Sequence, residues 1–118
     1  MQALLANELH IVFTTGALAI TANLQGADAT IIAGGINFIP NKLLVRPDIK
    51  TPEGLKGKRI AISRFGSASD YATQVALEKL GINPKDVTIV QTGGNMTRLA
   101  ALSQGTVHAT LLSEPHTT

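Results

Sequence analysis

Three short segments of this sequence place glycine beside hydroxyl or amide side chains, each where a β-branched run gives way to a helical pattern. They are Thr14-Thr15-Gly16, the stretch Ser63-Arg64-Phe65-Gly66-Ser67-Ala68-Ser69-Asp70, and Gln91-Thr92-Gly93-Gly94-Asn95. A helix start leaves about four backbone N–H groups without partners and carries roughly half a positive charge. Small residues let an anion approach those donors, and serine or threonine hydroxyls add neutral ones. Arg64 adds a planar fork that suits a carboxylate or sulfonate. The same residues also suit plain capping: Ser67 with Asp70 three on reads as a capping box, and Asn95 as an N-cap. On that reading Arg64 is a solvated charge at a strand end and Phe65 is packing. Three such junctions at the same end of successive strands favour a binding role, because ligands of open α/β sheets sit beyond the carboxyl ends of the strands.

Signals for covalent or metal chemistry are thin. The chain has no cysteine, which excludes a disulfide scaffold, a thiolate metal site and a cysteine nucleophile. Gly93-Gly94-Asn95 is not followed by the Gly-Lys-Ser/Thr of a phosphate loop, and neither G-x-S-x-G nor H-E-x-x-H occurs. His10, His108 and His116 are far apart in sequence; the first two open strand-like runs and read as structural. Neither a catalytic residue, a metal site nor a cofactor is expected.

Composition narrows the field further. The 118 residues suit about one domain by length, 44% are hydrophobic and 15% charged, so the chain can bury a core and is not disordered by composition. A net charge of +2 offers no broad nucleic-acid footprint, and four aromatics (Phe13, Phe38, Phe65 and Tyr71) offer little stacking surface. The apolar N-terminus contains Glu8 and His10 and has neither a basic start nor an A-x-A exit, so it does not read as a signal peptide. A chain made as given would be cytoplasmic.

The elements that must carry these junctions alternate along the chain. Helices are expected over 2–8, 17–24, 68–80 and 96–103, with a short one opening at Thr51-Pro52. Strands are expected over 10–15 (HIVFTT), 30–33 (TIIA), 42–46 (KLLVR), 58–63 (KRIAIS), 87–91 (VTIVQ) and 107–112 (VHATLL). Alternation of this kind argues for an α/β fold with largely parallel strands. A faint repeat runs through it: Ala3-Leu4 then Leu9-His10 matches Ala101-Leu102 then Val107-His108 at a constant offset of 98. Two ordinary helix-to-strand corners would explain it, as would two lobes built on one plan.

The segment LKGKRIAISRFGSASDYATQVALEKLGINPKDVTIVQTGG, followed by RLAALSQGTVHATLLSEP, resembles the solute-binding proteins of ABC importers of the nitrate/sulfonate/taurine type. MQALLANELHIVFTTG and VRPDIKTPEGLKGKRI fit the same family. The resemblance implies the type II periplasmic binding fold, with a solute clamped between two α/β lobes. The expected division is a partial first lobe over 1–50, a connecting segment over 51–58 and a partial second lobe over 59–118. It also implies which residues face the solute. Thr14, Thr15 and Gly16 match the first-lobe turn. Ser63, Arg64, Gly66, Ser67 and Ser69 match the second-lobe turn whose helix start holds an anionic group. Gly93, Gly94 and Asn95 match the next turn, and Ser113 and Glu114 the loop after the last strand. A small organic anion and an ABC permease follow as partners, with no nucleic acid, in the periplasmic or extracellular setting of the family.

The departures shape the expectation. Family members run to about 300 residues, enough for two domains, so this chain reads as an internal fragment. His10 and His108 stand where the family carries Asp. A sheet without all its strands exposes unpaired N–H and C=O groups, so self-association is expected. Three alternatives share the fold or its remains. One is a remnant that keeps the fold without the ligand. Another is a pyrimidine-precursor synthase of thiamin biosynthesis, which would need a cysteine-rich motif. The third is a LysR-type effector domain, which would need an N-terminal helix-turn-helix. Phe65 and Tyr71 are the residues that a neutral or aromatic ligand would use.

Overall fold

The computed structural model describes residues 1–36 and 38–116; the last two positions of the 59–118 assignment lie outside them. The chain divides into two compact units, Met1–Phe38 and Ile39–Thr118.

The second unit contains a four-stranded sheet. Its strands are β1 (Asn41–Val45), β2 (Arg59–Ile62), β3 (Thr88–Gln91) and β4 (Ala109–Ser113), in the order β1-β4-β2-β3. β2 runs parallel to β3 and to β4, while β1 pairs antiparallel with β4, Leu43 opposite Leu111. The expected α/β fold with a largely parallel sheet is therefore present. The two central strands are buried almost without alternation, from Ile60 to Ile62 and from Ala109 to Leu112. That is the pattern of strands covered on both faces. β1, which the sequence reading placed ahead of the connecting segment, belongs to this sheet.

Two helices of this unit follow strands. α3 (Ala68–Lys79) buries Ser69, Ala72, Thr73 and Leu77, one stripe at helical spacing. It starts at Ser67, whose side chain accepts the N–H of Asp70, and stops at Gly81, whose φ of 68° only glycine adopts at ease. The N–H of Ile82 then returns to the carbonyl of Leu77, and both side chains enter the core with Ile49, Leu55, Ile60, Val87 and Ala109. Each fully buried leucine or isoleucine there contributes about 1.5–3 kcal/mol. The second helix, α4 (Asn95–Ser103), precedes β4. The short turn at Pro52–Leu55 has Thr51 as its N-cap and proline in its first turn, as its sequence requires.

The first unit holds α1 (Gln2–Leu5) and α2 (Gly16–Leu24). Residues 10–15 and 30–33, expected as strands, pair with nothing among the described residues and adopt no regular structure. Strand propensity records how a side chain fits a pleated surface. It does not supply the neighbouring ladder, and here Ile11, Phe13, Ile31 and Ile32 are exposed. The helix expected over 2–8 ends early because Asn7 turns left-handed at φ 59°.

The repeat at offset 98 is visible in the backbone. Asn7 and Gly105 both have positive φ, 59° and 77°. The N–H groups of Glu8 and Leu9 both reach the carbonyl of Ala3, and those of Thr106 and Val107 both reach Ala101. The same corner is thus built twice, with β4 continuing one copy only.

Candidate functional site

Because β2, β3 and β4 are parallel, their carboxyl ends lie at one end of the sheet of the second unit. The turn after β2 carries the hydroxyl cluster. Ser63 Oγ donates to Ser67 Oγ at 2.9 Å and lies 2.8 Å from Ser69 Oγ, which is 2.9 Å from Ser67 Oγ. Ser69 Oγ also accepts the N–H of Ser63 at 2.9 Å. A hydroxyl has one proton and two lone pairs. Three of them in a ring use each proton internally, and turning one O–H outward releases a donor for the loss of one bond, about 0.5–1.5 kcal/mol.

The turn after β3 is tied to this cluster. The N–H of Gly93 donates to the carbonyl of Ser63, and Gln91 Oε1 accepts the N–H of Phe65 at 2.8 Å. Gly93 has φ 94° and ends β3 abruptly, which brings Gly94 to the cap position of α4. Asn95, expected as that cap, is instead the first residue of the helix. Its Oδ1 accepts from Arg98 Nη2 rather than from a backbone N–H.

The two helix starts differ electrically. Asp70 places a carboxylate in the first turn of α3, where it accepts from the N–H of Gly66 at 2.8 Å and from Gln74 Nε2. The first turn of α4 has no acidic residue. Behind it lies Arg98, only 4% exposed, donating through Nη1 to the carbonyl of Leu111 at 2.7 Å and to Thr110 Oγ1 at 3.4 Å. Burial lowers its pKa below the usual guanidinium value. Sequence reasoning placed Gln91 in the third junction without giving its side chain a role, and missed Arg98 and Thr110. Arg98 alone carried a signal: a cation three residues after Asn95, inside a mostly apolar helix.

Of the residues singled out from sequence, the structure brings together Ser63, Gly66, Ser67 and Ser69 with Gly93, Gly94 and Asn95. Arg64 and Phe65 are exposed on the same turn. Ser113 ends β4 opposite Asn41, and Glu114 pairs with Lys42 on the exposed edge. Thr14, Thr15 and Gly16 belong to the first unit, where Thr15 caps α2 and all three are exposed. A groove of that unit, lined by Leu5, Leu18, Ala22 and Gln25, contains none of the candidate residues. No group of three or more His, Cys, Asp or Glu side chains suited to a metal occurs among the described residues.

Comparison with known proteins gives this arrangement a family. The model of the NMT1/THI5-like family matches residues 1–115. The chain belongs to the NMT1/THI5-like family. Among solved structures, this member is similar to the periplasmic aliphatic sulphonate binding protein SsuA of Escherichia coli, at 25% identity and a TM-score of 0.72. It is similar also to the alkanesulfonate-binding protein SsuA of Xanthomonas axonopodis pv. citri bound to MOPS, at 27% identity and a TM-score of 0.71. The match covers 98% of this chain for the first and 97% for the second, and 40% of either protein. The ligand-binding component of an ABC-type import system from Staphylococcus aureus, with zinc bound, shares the fold at 18% identity and a TM-score of 0.76. This family member spans 40% of the length of each of these three proteins. No curated protein matches it.

Proposed function

We propose that this chain provides part of the solute site of an ABC importer's binding protein, and that it takes a small organic oxyanion, a sulfonate before a carboxylate or nitrate. The observation that carries the reading is the hydroxyl ring of Ser63, Ser67 and Ser69, tied through Ser63 to the glycine turn that opens α4. A tetrahedral sulfonate presents three acceptor oxygens and no donor. Rotatable hydroxyls and helix-start amides meet that need without a neutralising proton transfer. Asp70 beside the ring disfavours charge at the α3 start, so the sulfonate sits toward α4 and the hydroxyls contact its near edge. Arg64, exposed on the turn, approaches the same group from outside.

The sulphonate-binding relatives support this choice of solute, and a periplasmic or extracellular setting and a permease partner come with it. The role is non-catalytic. The synthase reading, which the family description keeps in view, would need the cysteine-rich motif, and the chain has no cysteine.

A thermal-shift titration of the 118-residue chain tests it, using ethanesulfonate, taurine, nitrate, bicarbonate and benzoate against chloride at matched ionic strength. A ligand at about 100 times its Kd stabilises by roughly 2.7 kcal/mol. For a domain of this size each kcal/mol is worth about 4–8 °C. A rise confined to sulfonates is the expected result. A cooperative melt that none of the anions moves would overturn the reading.

A further inference from the structure

The guanidinium of Arg98 is buried among neutral acceptors only. Its partners are the carbonyl of Leu111, the hydroxyl of Thr110 and the amide oxygen of Asn95, while Nε is buried with no partner. Neither the Lys42–Glu114 nor the Arg46–Asp48 ion pair involves it. A cation taken out of water is costly unless a counter-charge accompanies it, and a neutral residue of similar shape would fill this site more cheaply. The charge nevertheless stands directly behind the start of α4, where the helix adds its own positive end and its first turn holds no acidic residue.

Resting on the reading above, we infer that Arg98 is the counter-charge of the bound oxyanion: acting through Asn95 and the end of β4, it makes the start of α4 the seat of the anionic group. It is a positioning residue rather than a contact. Its nitrogens shape the turn, and its field reaches the solute through a water-poor interior where screening is weak.

The test compares the full chain with Arg98→Met and Arg98→Lys, by thermal shift and calorimetric titration with ethanesulfonate at fixed ionic strength. In chloride, Arg98→Met is expected to melt close to the unsubstituted chain, since losing the buried charge offsets the donor lost to the Leu111 carbonyl. Its ethanesulfonate affinity falls by about 5–150-fold, the usual range for coupled sites. Arg98→Lys keeps most of the affinity although it loses the forked bonds. A purely structural arginine predicts the opposite: both variants melt lower and neither is rescued by charge. If Arg98→Met folds and binds ethanesulfonate like the unsubstituted chain, this inference falls while the solute reading stands. If the unsubstituted chain itself ignores ethanesulfonate, both fall. Should Arg98→Met fail to fold, Asn95→Asp decides. It sets a carboxylate on Nη2, and is expected to raise the melting temperature in chloride and weaken ethanesulfonate binding. An unchanged melting temperature and affinity there would overturn the inference.

Discussion

The imidazole Nδ1 of His108 accepts the backbone N–H of Arg59 at 3.2 Å, while the N–H of His108 donates to the Arg59 carbonyl at 2.8 Å. The ring thus stands in for a strand residue and finishes the β2–β4 ladder at its amino end. The carbonyl of Thr106 is meanwhile taken by Arg59 Nε at 2.7 Å. Nδ1 must be unprotonated to accept. Burial of the ring, then the positive charges of Lys58, Arg59 and Arg46, lower its pKa below the ordinary histidine value.

That direction sets a pH dependence. Over the interval between the lowered folded pKa and the ordinary value of about 6.5, the unfolded chain binds more protons than the folded one. Stability from this group is therefore complete above about pH 6.5 and is lost as pH falls toward the folded value. Melting temperatures recorded from pH 8 to pH 5 are expected to decline in the lower half of that range. His108→Asn, whose Oδ1 can still accept the Arg59 N–H, is expected to flatten the decline. An equal decline in the variant would place the titrating group elsewhere.

Ser69 is the hub of the hydroxyl ring and the acceptor for the Ser63 N–H. Ser69→Ala leaves that N–H without its acceptor and is expected to cost about 1–3 kcal/mol. Ser67→Ala removes the side-chain cap of α3 and is expected to cost about 1 kcal/mol. Urea melts of the two variants check the order. Both are also expected to weaken the ethanesulfonate response, which a purely structural ring would not do.

Punctuation made much of the second unit legible in its sequence. Thr51-Pro52, Ser67 with Asp70, and Gly81 each fix an element boundary by local chemistry, and those boundaries stand. The runs HIVFTT and TIIA carry the same β-branched signal as the KRIAIS run. Only KRIAIS lies between two partner strands, and a partner is a property of the whole chain that no window of residues contains. The strand at KLLVR was legible, but its antiparallel direction was not, because direction depends on where the chain returns. Asn95 misled for a local reason: its oxygen serves Arg98, and one charged residue within a helix gives no sign of which face it occupies.

Gly105 turns the α4–β4 corner at φ 77°, and a Cβ built there would lie 2.5 Å from Arg46 Nη1. Gly105→Ala is expected to cost about 1–2 kcal/mol for the left-handed backbone alone. The contact with Arg46 adds to this, and Arg46→Ala in the same chain is expected to return that part. Gly81→Ala, at φ 68° with open space around it, isolates the backbone cost. Equal losses at the two glycines, unaffected by Arg46→Ala, would show that the arginine simply swings aside.

Among the described residues, ten of the fifteen exposed large apolar side chains, Leu5 through Phe38, fall in the first unit, whereas the core cluster lies wholly in the second. The segment 39–118 alone is expected to melt cooperatively and to remain monomeric in light scattering. The full chain is expected to self-associate as concentration rises. Concentration-independent scattering from the full chain would remove self-association. A gradual, non-cooperative melt of 39–118 would show that its core does not suffice.

The duplicated corner has a kinetic consequence. The bonds from Glu8 and Leu9 to Ala3, and from Thr106 and Val107 to Ala101, join residues five or six positions apart. Loops that short close in about 10–100 ns. The strand that follows the second corner must instead find β1 across a separation such as the 72 positions between Lys42 and Glu114. Search over that distance is slow relative to local closure. Both bends are therefore expected to form before β4 settles between β1 and β2.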